Sequence, residues 1–528
     1  MKDCFRLLLL AVACVCLSVA QQSDSIPGSL ANSSNSQESQ DSGLSLADQA
    51  RRLRRDHSEE RQMTEDDAKK LFAAVDRIVN FAAQDSGFPL HSTVKRRMIS
   101  PDDLEKFERE KLSKHEYDER FERSELTMKK FGLLPRDFNL KEFLVKADRT
   151  EIAAFYDDET KIISMLNTIP FEQQEPILAH ELTHALQDQN YDLQKWLRRG
   201  DTSANVNDES IAARRAIVEG QATVVYLDYL LARIGRSVAD TPGIVYRMED
   251  PAVKYAIDSQ LMHAAPMILR EWGAFPYHDG LIFENELLQS GGKKLAFPEA
   301  FAHPPRTTHE VLQPKAYLDH QAIAPIAIPD ARVILGSEYE LFDSGSLGEL
   351  DVRALLWQLG TRTLADDLST KWQGGSYAAY RKKSPAAVAS ADLRLLYVSR
   401  WSTADAALRF AKFYAKAVAR RYETATPATN TACISGDCPL SSTLISTEEG
   451  PVMIDLWKDN TVLVSESFDQ ASAAKLVNAS RDLTQKSAMM FPAQQELGMR
   501  LDAVPAFREF QDLVGRELVS TVYFKSIK

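Results

Sequence analysis

Histidine and cysteine are both scarce in this chain. Its 528 residues hold 10 histidines and 5 cysteines, so histidines recurring at a fixed spacing stand out against a thin background. Cys4, Cys14 and Cys16 sit at the very start, and only Cys433 and Cys438 follow, in C-I-S-G-D-C. That count excludes a disulfide-stapled scaffold. In an oxidising compartment Cys433 and Cys438 would close a tight loop as a disulfide; a metal-binding pair is the rival reading, but no second pair exists to complete a structural zinc site. Basic excess is lacking too: 63 Lys and Arg against 75 Asp and Glu give a net charge of −12. Phosphate-binding surfaces need clustered basic residues, which argues against a nucleic-acid partner. No internal repeat is visible, and beyond the first twenty residues no apolar run approaches the ~20 residues of a membrane span. A chain with about 500 residues past such a start implies two or three domains, or one elaborated domain, with ample core.

The first twenty residues read as a secretory signal. Lys2 and Arg6 precede an apolar run from Leu7 to Ala20 that ends in S-V-A, the charge, apolar stretch and small-residue site of a cleaved export segment. The expected location is therefore periplasmic or extracellular. Ala11-Val12-Ala13-Cys14 is a poor approximation to a lipoprotein site, so anchoring at Cys14 is the lesser reading. Residues 21–62 are rich in Ser, Gln and Asn and read as a disordered leader. Within them Arg51-Arg52-Leu53-Arg54-Arg55 is either a propeptide processing site or, as charge runs more often are, a solvated stretch. Asn32 and Asn478 open formal glycosylation sequons, which matter only in a host that glycosylates.

The chemistry concentrates in I-L-A-H-E-L-T-H-A-L-Q-D-Q, Ile177 to Gln189. Its apolar residues fall at helical spacing, and Pro176 fits a first helical turn. Residues i and i+4 share a helix face, so His180 and His184 can converge on one point as two nitrogen ligands of a zinc ion. Glu181, adjacent to His180, is better placed as a general base beside the metal than as a ligand. A third ligand is needed. Asp208 to Gly235 reads as a second helix with Asp208 as N-cap and Gly235 as its stop, and there Glu219 interrupts a face formed by Ile217, Val218, Ala222, Val225 and Tyr226. A carboxylate near a buried face costs several kcal/mol unless paired or bound to metal. Gly220 and Ala222 would let another helix come close, so the simplest reading packs this helix on the H-E-L-T-H helix and makes Glu219 the third ligand. The bland alternatives are surface histidines and an exposed glutamate. Asp188, one turn past His184, is either a partner that orients a ligating histidine or a surface aspartate.

H-E-L-T-H-A followed by E-G-x-A on a second helix resembles the gluzincin metallopeptidases, the clan that includes thermolysin. The likeness is strongest to a group of secreted bacterial zinc-peptidase-like proteins. It rests on Ala154–Lys161 (A-F-Y-D-D-E-T-K), Leu178–Gln189 and Ala216–Thr223 (A-I-V-E-G-Q-A-T), with weaker echoes at Pro304–Tyr317 and Leu347–Leu350. It spans about Leu133 to Phe413, with only the H-E-x-x-H and E-G-x-A pieces specific. The gap from His184 to Glu219 is longer than in thermolysin, so thermolysin's remaining residues do not transfer directly. The resemblance implies an α+β, predominantly helical fold: a zincin-like core in which a small sheet precedes the active-site helix, its edge strand lining a cleft where a peptide adds as a strand. It also implies zinc as cofactor and a peptide or protein as substrate.

The remaining chain supplies the frame. Thr64 opens a helix with a stripe of Leu71, Val75, Ile78, Val79 and Ala82, and 102–131 reads as one or two amphipathic helices. Strands are expected at 152–156 and 161–166 around a turn at Asp157-Asp158-Glu159. A short helix is expected over 281–292. Arg306, His309 and Tyr277 are candidates for polarising a scissile carbonyl or donating to the oxyanion, with an ordinary surface or packing role the favoured reading for each. Leu347 to Tyr422 reads as two or three helices, 424–438 as a linker, and 451–457 with 461–466 as a hairpin around Lys458-Asp459-Asn460. A last helix is expected at 502–518. The expected division is 1–20 signal, 21–62 leader, 63–335 zincin-like domain, 336–425 helical region packed on it, and 426–528 linker with a C-terminal α/β region. Function then divides in two: a secreted zinc metallopeptidase, or an exported non-catalytic zinc-binding or scaffold protein on a peptidase-like fold. Glu181 favours the first, because a purely structural site has no use for a base.

Overall fold

A computed structural model of the chain describes residues 63–490, apart from 113–114, 144–153, 170, 199–207, 248–263, 322, 325, 337, 384–388 and 429–437. The expected signal segment, the leader with Arg51–Arg55, Cys433 and the helix at 502–518 lie outside the described residues. Cys438 is disulfide-bonded.

The fold is α+β. Helix α1 (Glu65–Ser86) begins at Thr64, whose hydroxyl accepts the Asp67 backbone N–H at 3.1 Å, and it buries the expected stripe. Strand β1 (Lys95–Ile99) follows, then α2 (Pro101–Leu112) and α3 (His115–Phe131). Strands β2 (Ala154–Asp157) and β3 (Ile162–Leu166) flank the expected turn, closed at Lys161 with φ 60°. They form a three-stranded sheet in the order β1-β3-β2, β3 running parallel to β1 and antiparallel to β2. Strand β1 is unannounced in the sequence because Lys95, Arg96 and Arg97 mask its alternation. Arg96 is tied to Asp76 of α1 and Arg97 to Ser164 of β3.

Three long helices then stack. Helix α4 (Phe171–Tyr191) carries H-E-L-T-H, α5 (Asp208–Leu231) carries Glu219, and α6 (Met267–Lys294) crosses α5. Pro176 is inside α4 rather than at its first turn, because the helix begins five residues earlier. Gly235, with φ 67°, stops the turn that extends α5. The expected short helix at 281–292 is the C-terminal half of α6, which runs from Met267 to a break at Gly292 (φ 65°). Its first half is hidden in the sequence by Gly273, Pro276 and Gly280, whose poor helix propensity is overridden by packing. Gly220 and Gly280 are where α5 and α6 touch: a Cβ on Gly220 would meet the Gly280 carbonyl oxygen at 2.5 Å, and one on Gly280 would meet that of Ala216 at 2.5 Å. The close approach foreseen at Gly220 is thus to α6, while α5 packs on α4 through another side.

Beyond a short helix, α7 (Thr308–Leu312), lies a seven-stranded antiparallel sheet. In chain order it comprises β4 (Tyr339–Ser346), β5 (Trp372–Lys382), β6 (Arg394–Trp401), β7 (Ala425–Ala428), β8 (Ser441–Thr447), β9 (Gly450–Leu456) and β10 (Thr461–Glu466), arranged β4-β5-β6-β10-β9-β8-β7. Helices α8 (Glu349–Leu359), α9 (Ala404–Arg421) and α10 (Gln470–Met490) accompany it. The expected hairpin is β9–β10, turning at Asn460 with φ 61°. The all-helical reading of 347–422 fails at β5 and β6. Both strands are buried on both faces, so their sequences lose the alternation that marks a half-exposed strand. Leu395 and Tyr397 face the core shared with α9, and Leu396 and Val398 face that of α10. The sheet also runs across the division expected at 425–426. No helix among the described residues is long and apolar enough to cross a membrane.

The α5–α6 crossing yields a stability test. Ala usually outranks Gly inside a helix by about 0.5–1 kcal/mol, but here its methyl has no room. Gly280→Ala is expected to lose about 1–3 kcal/mol in denaturant unfolding. Gly243→Ala, where a Cβ meets nothing within 4 Å, should be neutral or better. Equal stabilities would show that the crossing tolerates a methyl.

Candidate metal centre

Every residue from 176 to 188 on α4 and from 215 to 229 on α5 is buried. Polar side chains there must therefore find partners inside the protein. His180 Nε2 lies 3.1 Å from Glu219 Oε2, His184 Nε2 lies 3.2 Å from the same oxygen, and the two Nε2 atoms are 3.0 Å apart. The three sequence-predicted ligands thus converge in a near-equilateral triangle. Tetrahedral bonds of 2.0–2.2 Å put ligand atoms about 3.3–3.5 Å from one another, so these three atoms could hold an ion after expansion by a few tenths of an ångström. Two imidazole nitrogens and one carboxylate are a donor set that suits zinc and leaves a fourth position open. Among the described residues this is the one group of three or more His, Cys, Asp or Glu that could hold a metal.

Electrostatics of the metal-free group follow from burial and mutual charge. Burial pushes His180 down to about 4, against the pull of Glu219. For His184 burial opposes the charged form, but the Glu219 carboxylate outweighs it and raises the imidazole to about 9. Glu219 resists burial through the same two histidines and stays well below the usual carboxylate range. The metal-free site is therefore a buried His184–Glu219 ion pair with a neutral His180, whose proton a cation would displace.

Glu181 is not part of the triangle. Its Oε2 accepts the Tyr156 backbone N–H from β2 at 2.8 Å, while its buried Oε1 has no hydrogen-bond partner among the described residues. Burial pushes its carboxyl up to about 7, with His184 opposing and Glu219 adding to the rise. One oxygen is anchored and the other is available, as a positioned base requires.

The other sequence candidates fall differently. Tyr277 of α6 stacks on the His180 ring with centroids 5.9 Å apart, and burial beside Glu219 and Glu181 holds its phenol strongly neutral. His309 instead bonds through Nδ1 to Glu349, and Arg306 is exposed, its backbone N–H bonded to Glu310. Asp188 orients no histidine. Its carboxylate accepts from Tyr156 Oη at 2.6 Å, Lys161 Nζ at 2.7 Å and the Leu193 backbone N–H at 3.0 Å. It pins the β2–β3 turn to α4, and through Tyr156 the strand that anchors Glu181. The partner of His184 Nδ1 is Gln187 Oε1, 2.9 Å away, a residue the sequence reading passed over. The available signal was its position one turn from His184 in a helix with no solvent-facing side.

A family model described as a domain of unknown function (DUF8575) matches residues 339–475, a segment that excludes all four site residues. No curated protein and no solved structure matches the chain.

The role of Asp188 can be checked directly. Asp188→Ala is expected to lower stability by about 1–3 kcal/mol, the cost of stranding buried donors, without changing metal uptake at His180, His184 and Glu219. A fall in metal affinity in the folded variant would restore Asp188 to the metal group.

Proposed function

We propose that the chain is an exported zinc-dependent metallopeptidase of gluzincin type, on a zincin-like core formed by the small sheet and helices α4 and α5. The observation that carries this reading is the triangle of His180 Nε2, His184 Nε2 and Glu219 Oε2 together with Glu181, whose Oε1 has no hydrogen-bond partner among the described residues. His180, His184 and Glu219 would hold the metal. Zinc, when bound, supplies Lewis acidity to a substrate carbonyl and to water.

The chain's own residues supply the proton handling and the alignment. Glu181 Oε1 takes a proton from the attacking water and returns it to the leaving amine. The Tyr156 N–H keeps the carboxylate from rotating, and Asp188 keeps Tyr156 in place. Strand β2 is an edge strand of its sheet, which suits the addition of an extended peptide beside Glu181. Burial of the group excludes bulk water from the reacting atoms, which strengthens every interaction there. The substrate class is a peptide or protein. The net charge of −12 argues against nucleic acid, and the N-terminal segment supports export.

Two measurements test this reading. The mature protein should carry one zinc per chain by elemental analysis, and Glu219→Ala should bind it far more weakly. Zinc held equally by both would remove Glu219 from the site, and zinc in neither would leave a non-catalytic scaffold. Separately, Glu181→Gln should retain zinc and lose about 10²–10⁴-fold in peptide hydrolysis, the range for a positioned acid–base group. Hydrolysis at the parental rate would defeat the mechanism.

A further inference from the structure

We infer that Gln187 and Gln221 form a directional amide relay that holds His184 in its metal-binding tautomer, which makes both of them positioning residues of the site. The inference rests on the metal-centre reading and adds residues and a segment that no motif includes.

The relay's direction follows from its two ends. Gln221 Nε2 lies 2.7 Å from the Ala296 carbonyl oxygen and 3.2 Å from that of Phe297. Carbonyl oxygens only accept, so the Gln221 NH2 must face them and its Oε1 must face back along the chain of bonds. Gln187 Nε2 lies 3.1 Å from that Oε1 and 3.0 Å from the Val218 carbonyl oxygen. Both of these also accept, so the Gln187 NH2 faces them and its Oε1 faces His184 Nδ1 at 2.9 Å. Nδ1 must then carry the proton. Nε2 is then the nitrogen left for a metal, and the proton it shares with Glu219 Oε2 in the metal-free pair is the one a cation would displace. Amide orientation is ordinarily ambiguous, but here fixed backbone acceptors at 218, 296 and 297 decide it without reference to any hydrogen position. Both glutamines are fully buried, so water cannot substitute for a misplaced group.

Reversal would be costly in a specific way. A flipped Gln187 would present its NH2 to Nδ1, forcing the proton onto Nε2, where it would point into the space a metal must occupy. The flip also sets Oε1 against the Val218 carbonyl. The relay ends in the π-helical turn Leu295–Glu299, which follows the break at Gly292. That turn therefore belongs to the support of the metal group, although it is far from it in sequence.

The test uses the full chain and zinc as probe, with affinity measured by competition against a chromogenic chelator. Gln187→Met and Gln221→Met keep the side-chain shape and delete the amides. Gln187→Met is expected to weaken zinc 10–100-fold, the usual effect of removing a ligand's hydrogen-bond partner. Gln221→Met should act in the same direction by a smaller factor, and the double variant should match Gln187→Met because both act along one path. Folded variants with parental affinity, a lowered melting temperature alone, or strictly additive losses would each overturn the relay. If Gln187→Met fails to fold, Gln221→Met decides, since among the described residues its side chain bonds only to Gln187 and the backbone; unchanged affinity there overturns the proposal. Nitrogen-15 histidine NMR of the metal-free parent gives a readout independent of metal. His184 Nδ1 should carry a slowly exchanging proton that loses its protection in Gln187→Met, and a bare Nδ1 in the parent would overturn the relay. A parent that binds no zinc yet shows this proton would refute the metal centre and leave the relay standing.

Discussion

The constraint on which the rest of this structure depends is that its chemistry-bearing helices have no side facing water. Over 176–188 and 215–229 every residue is buried, so each polar atom there either finds a partner in the protein or costs about 1–3 kcal/mol or more. Thr183 and Thr223 satisfy their hydroxyls locally, on the carbonyls of Ala179 and Glu219. His180, His184 and Glu219 satisfy one another. Gln187 and Gln221 complete the pattern by bonding to each other and to backbone carbonyls. In the same buried stretch Glu181 Oε1 has no hydrogen-bond partner among the described residues; an unpaired buried carboxylate oxygen is poor structure and, in the proposed mechanism, useful chemistry.

Close packing makes the arrangement geometrically possible. Helix α5 must reach α4 on one side and α6 on another, and small residues permit the second contact: Ala216, Gly220 and Gly280 bring the α5 and α6 backbones together. That contact sets the ring of Tyr277 over His180 and so encloses the ligand group from the α6 side. The small sheet bounds it from another, where the Tyr156 N–H of the edge strand β2 donates to Glu181. Rigidity of this kind is what a site needs if its base is to stay in hydrogen-bond reach of a reacting atom.

Much of the site was legible because it is local. His180, Glu181 and His184 lie within five positions on one helix, and Glu219 declared itself by interrupting an apolar face. Legibility failed where long-range packing decides. Strand β1 is hidden by three consecutive basic residues, of which Arg96 pairs with α1 and Arg97 with β3; the first half of α6 is hidden by a proline and two glycines; β5 and β6 are hidden because burial on both faces removes their alternation. Asp188 illustrates the limit for side chains. Helical spacing places it one turn past His184, but only the fold shows that Tyr156, Lys161 and Leu193 surround its carboxylate, and that the neighbour at Gln187 takes the histidine instead.

The seven-stranded sheet is physically joined to the helices that carry the candidate metal centre rather than appended to them. Its Glu466 accepts from Tyr414, Tyr422 and Arg421, while Arg421 also donates to the Lys130 carbonyl and Lys130 reaches Glu449. This buried network ties the sheet to α3 and α9. A second junction reaches the ligand helix itself. Glu209, near the start of α5, accepts from the Thr308 backbone N–H and hydroxyl and lies flat against Gly348 at the start of α8. A Cβ at 348 would fall 1.9 Å from Glu209 Oε1, so any larger residue there would push the Glu209 carboxylate from its place. Burial pushes the Glu209 carboxyl up to about 8 and Asp351 up to about 7, and Asp351 holds the Gly348 N–H and the Trp272 indole of α6. The segment matched by the family model, 339–475, therefore grips α5 and α6 by their N-terminal ends. The sheet thereby fixes the start of the helix that carries Glu219, the candidate third ligand.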